Sequence, residues 1–142
     1  MKKNIWTTVG LLAALALLAT ACGAGSTTSE AFPKNADGYA DITVQQLAGM
    51  LENKDFTLVN VHVPYEGEIP QTDLFIAYDE IGAHLDQLPD KDAPIVLYCR
   101  SGSMSTSAAK ELVGLGYSNV MEVDGGFNAW KDAGYALLTQ NQ

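Results

Sequence analysis

One cysteine sits inside Ile95-Val96-Leu97-Tyr98-Cys99-Arg100-Ser101-Gly102-Ser103-Met104-Ser105, where an apolar run gives way to a polar, glycine-containing turn. The thiolate is the nucleophilic form of cysteine, and it is favoured by a helix N-terminus or a concavity of backbone N–H groups. The residues from Cys99 to Met104 can curl into such a nest, Gly102 supplying a conformation that a side chain would resist. Ser101, Ser103 and Ser105 add hydroxyl donors, and Arg100 adds a cation. No histidine adjoins the cysteine in sequence, so activation has to come from these dipoles and charges. The same position also suits an inert cysteine packed at a strand end. Taken alone, the residues leave both readings open. The two histidines, His62 and His84, stand without a second ligand type at metal spacing, which fits structural or surface roles and predicts no metal.

The elements that must hold this loop alternate between strand and helix. Thr43 to Gln46 has the form of a capping box, and Val44, Leu47, Ala48 and Leu51 then recur on one helical face. The β-branched run "FTLVNVHV" (56–63) predicts a buried strand, and "DLFIAY" (73–78) a shorter one. Asp79 is placed to cap a helix running to about Leu88, which Pro89 would stop. "PIVLYC" (94–99) is the most apolar strand of the chain. Met104, Ala108, Leu112 and Leu115 share a face of a helix over 104–115, closed by Gly116. A last strand, "NVMEV" (119–123), precedes a last short helix, "GGFNAWKDAG" (125–134), in which Phe127 and Trp130 read as core residues. This order predicts an α/β fold with a mostly parallel central sheet flanked by helices on both faces. Ligands of such sheets bind at the carboxyl ends of the strands, and Cys99 occupies one of those ends.

The N-terminus sets the compartment. Lys2 and Lys3 form a basic segment, Val9 to Leu18 an uncharged apolar one, and small residues follow in "ATAC". That is the layout of an export signal, since the apolar run is too short to cross a bilayer. The stretch ending at Cys22 and Gly23 resembles the lipobox of bacterial lipoproteins, in which the cysteine is lipidated and becomes the new N-terminus. Leu18 lies one place further from the cysteine than the usual leucine, with Ala19 in the expected position. The resulting organisation is a lipoprotein signal peptide over 1–21, a lipidated Cys22 with a flexible Gly/Ser/Thr/Ala-rich tether over 22–38, a folded domain over 39–138 and a tail over 139–142. It predicts an extracytoplasmic monomer attached to a bacterial membrane through lipid. Without Lys2 and Lys3, 6 basic residues of the 8 face 17 acidic ones, a net charge of −11. Such a surface argues against nucleic acid as a partner.

Two of these motifs together carry a resemblance. "YCRSGSMS" (98–105) resembles the active-site loop of single-domain rhodaneses, which often reads Cys-Arg-Ser-Gly-x-Arg-Ser, and "DGGFNAWKDAG" (124–134) resembles their C-terminal signature, with Gly125, Gly126, Trp130 and Gly134 in the marked places. A looser match covers 58–81, where the family has a strand ending in Asp-Val-Arg. The resemblance spans roughly 38 to 138 and implies a rhodanese-like domain. It further implies that Cys99 is the nucleophile, that Arg100, Ser101, Gly102, Ser103, Met104 and Ser105 form the substrate-binding loop, and that sulfur is transferred in two steps. Cys99 would take a sulfane sulfur from a small donor such as thiosulfate or polysulfide, hold it as a persulfide, and pass it to a thiol or other thiophilic acceptor. The family chemistry needs no cofactor.

The departures bear on substrate. Met104 stands where the common pattern has a second loop arginine, Asn60 and His62 replace an aspartate and an arginine, and Glu68 stands where histidine is frequent. Thiosulfate is therefore a less secure donor than the family name suggests, and a non-catalytic module that binds a partner or carries sulfur is the alternative. A phosphatase or arsenate-reductase-like enzyme would need an arginine six places after the cysteine to clamp its oxyanion. Position 105 is serine, and Arg100 is the sole arginine of the chain.

Overall fold

The structure is a computed structural model and describes residues 32–139. The signal peptide, Cys22 and most of the tether lie outside the described residues, as do residues 140–142 of the tail. Five parallel strands form one sheet in the order β1-β5-β4-β2-β3, with β1 Ala40–Ile42, β2 Thr57–Asn60, β3 Leu74–Phe75, β4 Ile95–Tyr98 and β5 Val120–Val123. Helices α1 Val44–Leu51, α2 Ser103–Gly114 and α3 Gly126–Asp132 cover it, which bears out the α/β reading. Among the described residues no helix is long and apolar enough to cross a membrane.

The central strand shows how the sheet separates two cores. Side chains alternate along a strand, so Ile95, Leu97 and then Cys99 face α2, while Val96 and Tyr98 face α1 and α3. Ala108, Ala109 and Leu112 of α2 close the first side, and Val44, Leu47, Phe127 and Trp130 close the second. Every residue of β4 is buried, as expected of a parallel strand covered twice, and each of its branched side chains contributes about 1.5–3 kcal/mol. The predicted capping box is present: Gln46 N–H donates to Thr43 Oγ1 at 3.2 Å, and Thr43 N–H to Gln46 Oε1 at 2.7 Å. Such a cap is worth about 1 kcal/mol.

Four expectations are corrected. No helix runs from Asp79 to Leu88; two 3₁₀ turns, Ile81–Ala83 and Leu85–Gln87, break at His84. Ile81 and Leu88 satisfy a helical spacing, but Glu80 offers no capping side-chain bond, and Gly82, beside the Glu111 carboxylate of α2, stands in the first turn. Tight packing on α2 and a glycine in the first turn favour short, tightly wound pieces. The strand expected over 73–78 keeps only two ladder residues, Leu74 and Phe75; at its start the Asp73 carboxylate accepts from Leu58 N–H at 2.7 Å, and beyond it Ile76 and Tyr78 bond singly to Asn60 and Val61 carbonyls. α2 ends at Gly114 and leaves Leu115 at 38% exposure, outside the core. Residues 32–38, assigned to the tether by composition, are folded onto the domain. Lys34 bridges to Ala40, Asn35 Nδ2–H donates to Asp41 at 2.9 Å, and Phe32 packs on the α1 side. The three-residue β1 that follows carries too short a pattern to announce itself.

Candidate active site

Strand β4 delivers Cys99 to the carboxyl edge of the sheet, and the chain turns through Arg100–Gly102 into α2. Cys99 is 1% exposed. Gly102 occupies the N-cap of α2 with φ 103°, a conformation open to glycine at little cost, and this aims its N–H at Cys99 Sγ, 3.1 Å away. Among the described residues the second group within hydrogen-bond reach of Sγ is Ser105 Oγ, at 3.4 Å. The expected ring of donors is thus narrower than the sequence suggested: Ser101 and Ser103 are exposed and do not bond to Sγ. The amides of Ser103, Met104 and Ser105 open the first turn of α2 and have no intrahelical acceptor.

Ser105 is fully buried and connects the thiol to a carboxylate. Its Oγ lies 2.5 Å from Glu122 Oε1 and 3.1 Å from the Gly102 carbonyl. Glu122 is 2% exposed and belongs to β5, on the same face of the sheet as Cys99. Burial raises its pKa from the ordinary 4.5 to about 7; Asp124 and Asp41 add repulsion, and the Ser105 hydrogen bond pulls the other way.

The loop is held from behind by α3. Phe127 N–H donates to the Cys99 carbonyl at 2.9 Å and Asn128 N–H to the Arg100 carbonyl at 3.0 Å. This contact explains the second of the paired glycines physically. A Cβ on Gly126, whose φ is 54°, would stand 2.1 Å from the Cys99 carbonyl oxygen, so only glycine lets the helix end approach so closely.

A cavity of about 240 Å³ opens over the thiol, lined by His62, Cys99, Arg100, Ser101, Ser103 and Met104. Arg100 does not point freely into it: Nη1 is paired with Glu66 Oε1 at 3.0 Å. The same carboxylate lies 3.4 Å from His62 Nε2, within ion-pair range yet misaligned for a hydrogen bond, so both ring nitrogens of this buried histidine lack a hydrogen-bond partner. Phe127 packs edge-on against the imidazole, centroids 5.4 Å apart.

A family model described as a rhodanese-like domain matches residues 43–133. The chain belongs to the rhodanese-like family. The thiosulfate sulfurtransferase GlpE of Glaesserella parasuis is 33% identical to it over 94 residues, covering 65% of this chain and 86% of the relative. GlpE of Shewanella oneidensis is 32% identical over 96 residues, covering 67% and 95%. A rhodanese-like domain protein from Staphylococcus aureus superposes with a TM-score of 0.60 at 30% identity, covering 71% of this chain and 98% of its own. Within this rhodanese-like fold, five of the predicted loop residues, Cys99, Arg100, Ser101, Ser103 and Met104, line one cavity, and Gly102 and Ser105 contact the sulfur directly. His84, partly exposed, lies elsewhere, in the break between the 3₁₀ turns. Cys22 lies outside the described residues. Sequence reasoning missed three residues. Glu122 carried a signal, an acid inside an otherwise apolar strand; Glu66 carried none; and His62, read as structural or surface, lines the cavity.

Proposed function

We propose that this rhodanese-like protein is a sulfurtransferase in which Cys99 carries the transferred sulfur. The observation that supports it best is the geometry at Sγ: a buried sulfur at a strand end, facing a cavity, with the Gly102 amide at 3.1 Å and a hydroxyl at 3.4 Å. In the first half-reaction the Cys99 thiolate attacks the sulfane sulfur of a donor such as thiosulfate. The donor S–S bond breaks, sulfite leaves with its electron pair, and a persulfide remains on Cys99. In the second, an acceptor thiolate attacks the outer sulfur and Cys99 departs as thiolate. The loop amides favour negative charge in both steps. The GlpE relatives, named as thiosulfate sulfurtransferases, support the reaction class.

Met104 favours a second reading, a tethered module that binds a partner or carries sulfur passively, because the cavity wall lacks a second cation for an anionic donor. The two readings separate by mass spectrometry of the full-length chain. Exposure to thiosulfate or polysulfide should add about 32 Da, one sulfur atom, to Cys99, reversed by cyanide or dithiothreitol and abolished in Cys99→Ser. A wild-type chain without that gain defeats the transferase. In the cell the protein would work outside the cytoplasm, held to a membrane through lipid on Cys22, with small sulfur donors and thiols as partners.

A further inference from the structure

Ser105 has one hydroxyl proton and three acceptors around it: Glu122 Oε1 at 2.5 Å, the Gly102 carbonyl at 3.1 Å and Cys99 Sγ at 3.4 Å. A hydroxyl donates once, and an ionised carboxylate can only accept. With Glu122 ionised, the 2.5 Å contact takes the Ser105 proton, and the serine presents a lone pair to Cys99 Sγ, 3.4 Å away. With Glu122 protonated, its carboxyl O–H can donate to Ser105 Oγ, which frees the hydroxyl proton for the other two acceptors, and a charged thiolate at Sγ competes for it better than the neutral Gly102 carbonyl does. The two arrangements are opposite in effect on a thiolate: one faces it with an acceptor backed by a negative charge, the other with a donor.

We infer that Glu122 is a positioning residue whose protonation turns the Ser105 hydroxyl onto Cys99, so that the site stabilises the Cys99 thiolate when the carboxyl is neutral and releases that support when it ionises. This rests on Cys99 being the sulfur-carrying thiol, and it adds a pH-sensitive regulation of both half-reactions, since Cys99 is a thiolate as nucleophile and again as leaving group. The switch takes up one proton from solvent as Glu122 becomes neutral; the Ser105 hydroxyl proton stays on Oγ and changes only its acceptor.

The surroundings suit a switch near neutrality. Glu122 is closed in between α2 and the sheet. Asp41 of β1, its register partner, and Asp124 just past β5 face it, with carboxylate oxygens of all three gathered within 4.8 Å. Both disfavour its ionisation, and desolvation disfavours it more. Ser105 comes from α2 and Cys99 from the end of β4. The start of α3 brings backbone alone, the Gly125 nitrogen lying 3.8 Å from where a Cβ on Gly102 would stand and Glu122 Oε1 3.5 Å from that same point.

The test is the rate at which iodoacetamide, a neutral reagent, alkylates Cys99 in the full-length chain, read at the Cys99 peptide by mass from pH 5.5 to 8.5. Glutamine in place of Glu122 keeps the shape and offers an N–H₂ donor to Ser105, mimicking the protonated acid. The ratio of the Glu122→Gln rate to the wild-type rate should rise from near 1 at pH 5.5 to about tenfold at pH 8.5, the worth of one hydrogen bond to an anion. Ser105→Ala should lower the rate about tenfold at pH 5.5, and Glu122→Gln should then bring little further change. A ratio flat with pH overturns the inference. An equal effect of Glu122→Gln with and without Ser105 also overturns it, because the carboxylate then acts through space and not through the hydroxyl. The alkylation readout does not depend on sulfur transfer, so a wild-type chain that gains no sulfur defeats the transferase and leaves the relay to be judged by the ratio alone.

Discussion

A buried acid leaves its mark on the pH dependence of folding, and Glu122 gives that mark a sign and a size. Its folded-state pKa stands at about 7 against an ordinary 4.5 because burial penalises the charged form. The folded chain therefore holds this proton more tightly than the unfolded chain does. The contribution to stability is fully present below pH 4.5, falls by about 1.4 kcal/mol per pH unit as pH rises, and is lost above pH 7. Across the window this amounts to about 3 kcal/mol, a sizeable share of the 5–15 kcal/mol typical of a domain. Glu122→Gln removes the ionisation and keeps the volume. Urea unfolding of both proteins at pH 4.5, 5.5, 6.5 and 8 gives two curves, and their difference reports the ionisation that only the wild type retains at position 122. The wild type should lose about 3 kcal/mol relative to the variant between the extremes, most of it below pH 7. A difference that stays constant within about 0.5 kcal/mol, the ordinary scatter of additive mutational effects, refutes the burial of an acid beneath the loop and removes the ground on which the Ser105 switch stands.

Three further outcomes are expected. Gly126→Ala should destabilise the chain by about 3–5 kcal/mol, from a left-handed alanine and two weakened bonds to the Cys99 and Arg100 carbonyls, and should slow Cys99 alkylation more than Gly49→Ala, whose site is open; equal effects of the two in urea and alkylation assays remove the clamp. Met104→Arg should lower KM for thiosulfate at least tenfold more than KM for an uncharged organic trisulfide, because a guanidinium on the cavity wall helps an anion and has little to hold in the neutral donor; an equal change for both donors argues against that role. Cys22→Ser should shift the protein from membrane to soluble fractions or leave it unprocessed, and unchanged fractionation removes the lipid anchor.

What the sequence made legible was local. The capping box needs only Thr43 and Gln46, three residues apart, and it forms as written. β4 is apolar throughout because both its faces are covered, and a run of that kind reads as a buried strand wherever it sits. The Cys99 loop is likewise short enough to be read whole. Where the reading failed, the deciding contact was distant in sequence. Ile81, Leu85 and Leu88 have the spacing of a helix, yet the segment forms two 3₁₀ turns, with Ile81 buried in the core that Ala108 and Leu112 of α2 close.

The site divides along the same line. A parallel sheet brings the carboxyl ends of its strands to one edge, so the sequence could say that chemistry would gather where Cys99 emerges. Which side chains meet there depends on strand order and register. Glu122 faces the sulfur because β5 pairs with β4 and because its place in the alternation turns it toward α2; one residue earlier or later it would face α1 and α3 instead. Its partner Ser105 lies 17 positions away and Glu66 lies 34 positions from Arg100, separations across which no spacing rule operates. An acid in the apolar strand Val120–Val123 was nonetheless a sign that could be read. Burying an unpaired carboxylate costs several kcal/mol, so one placed in a buried strand implies a partner, a raised pKa or both. Here burial raises the pKa, and the partner is the residue that touches the thiol.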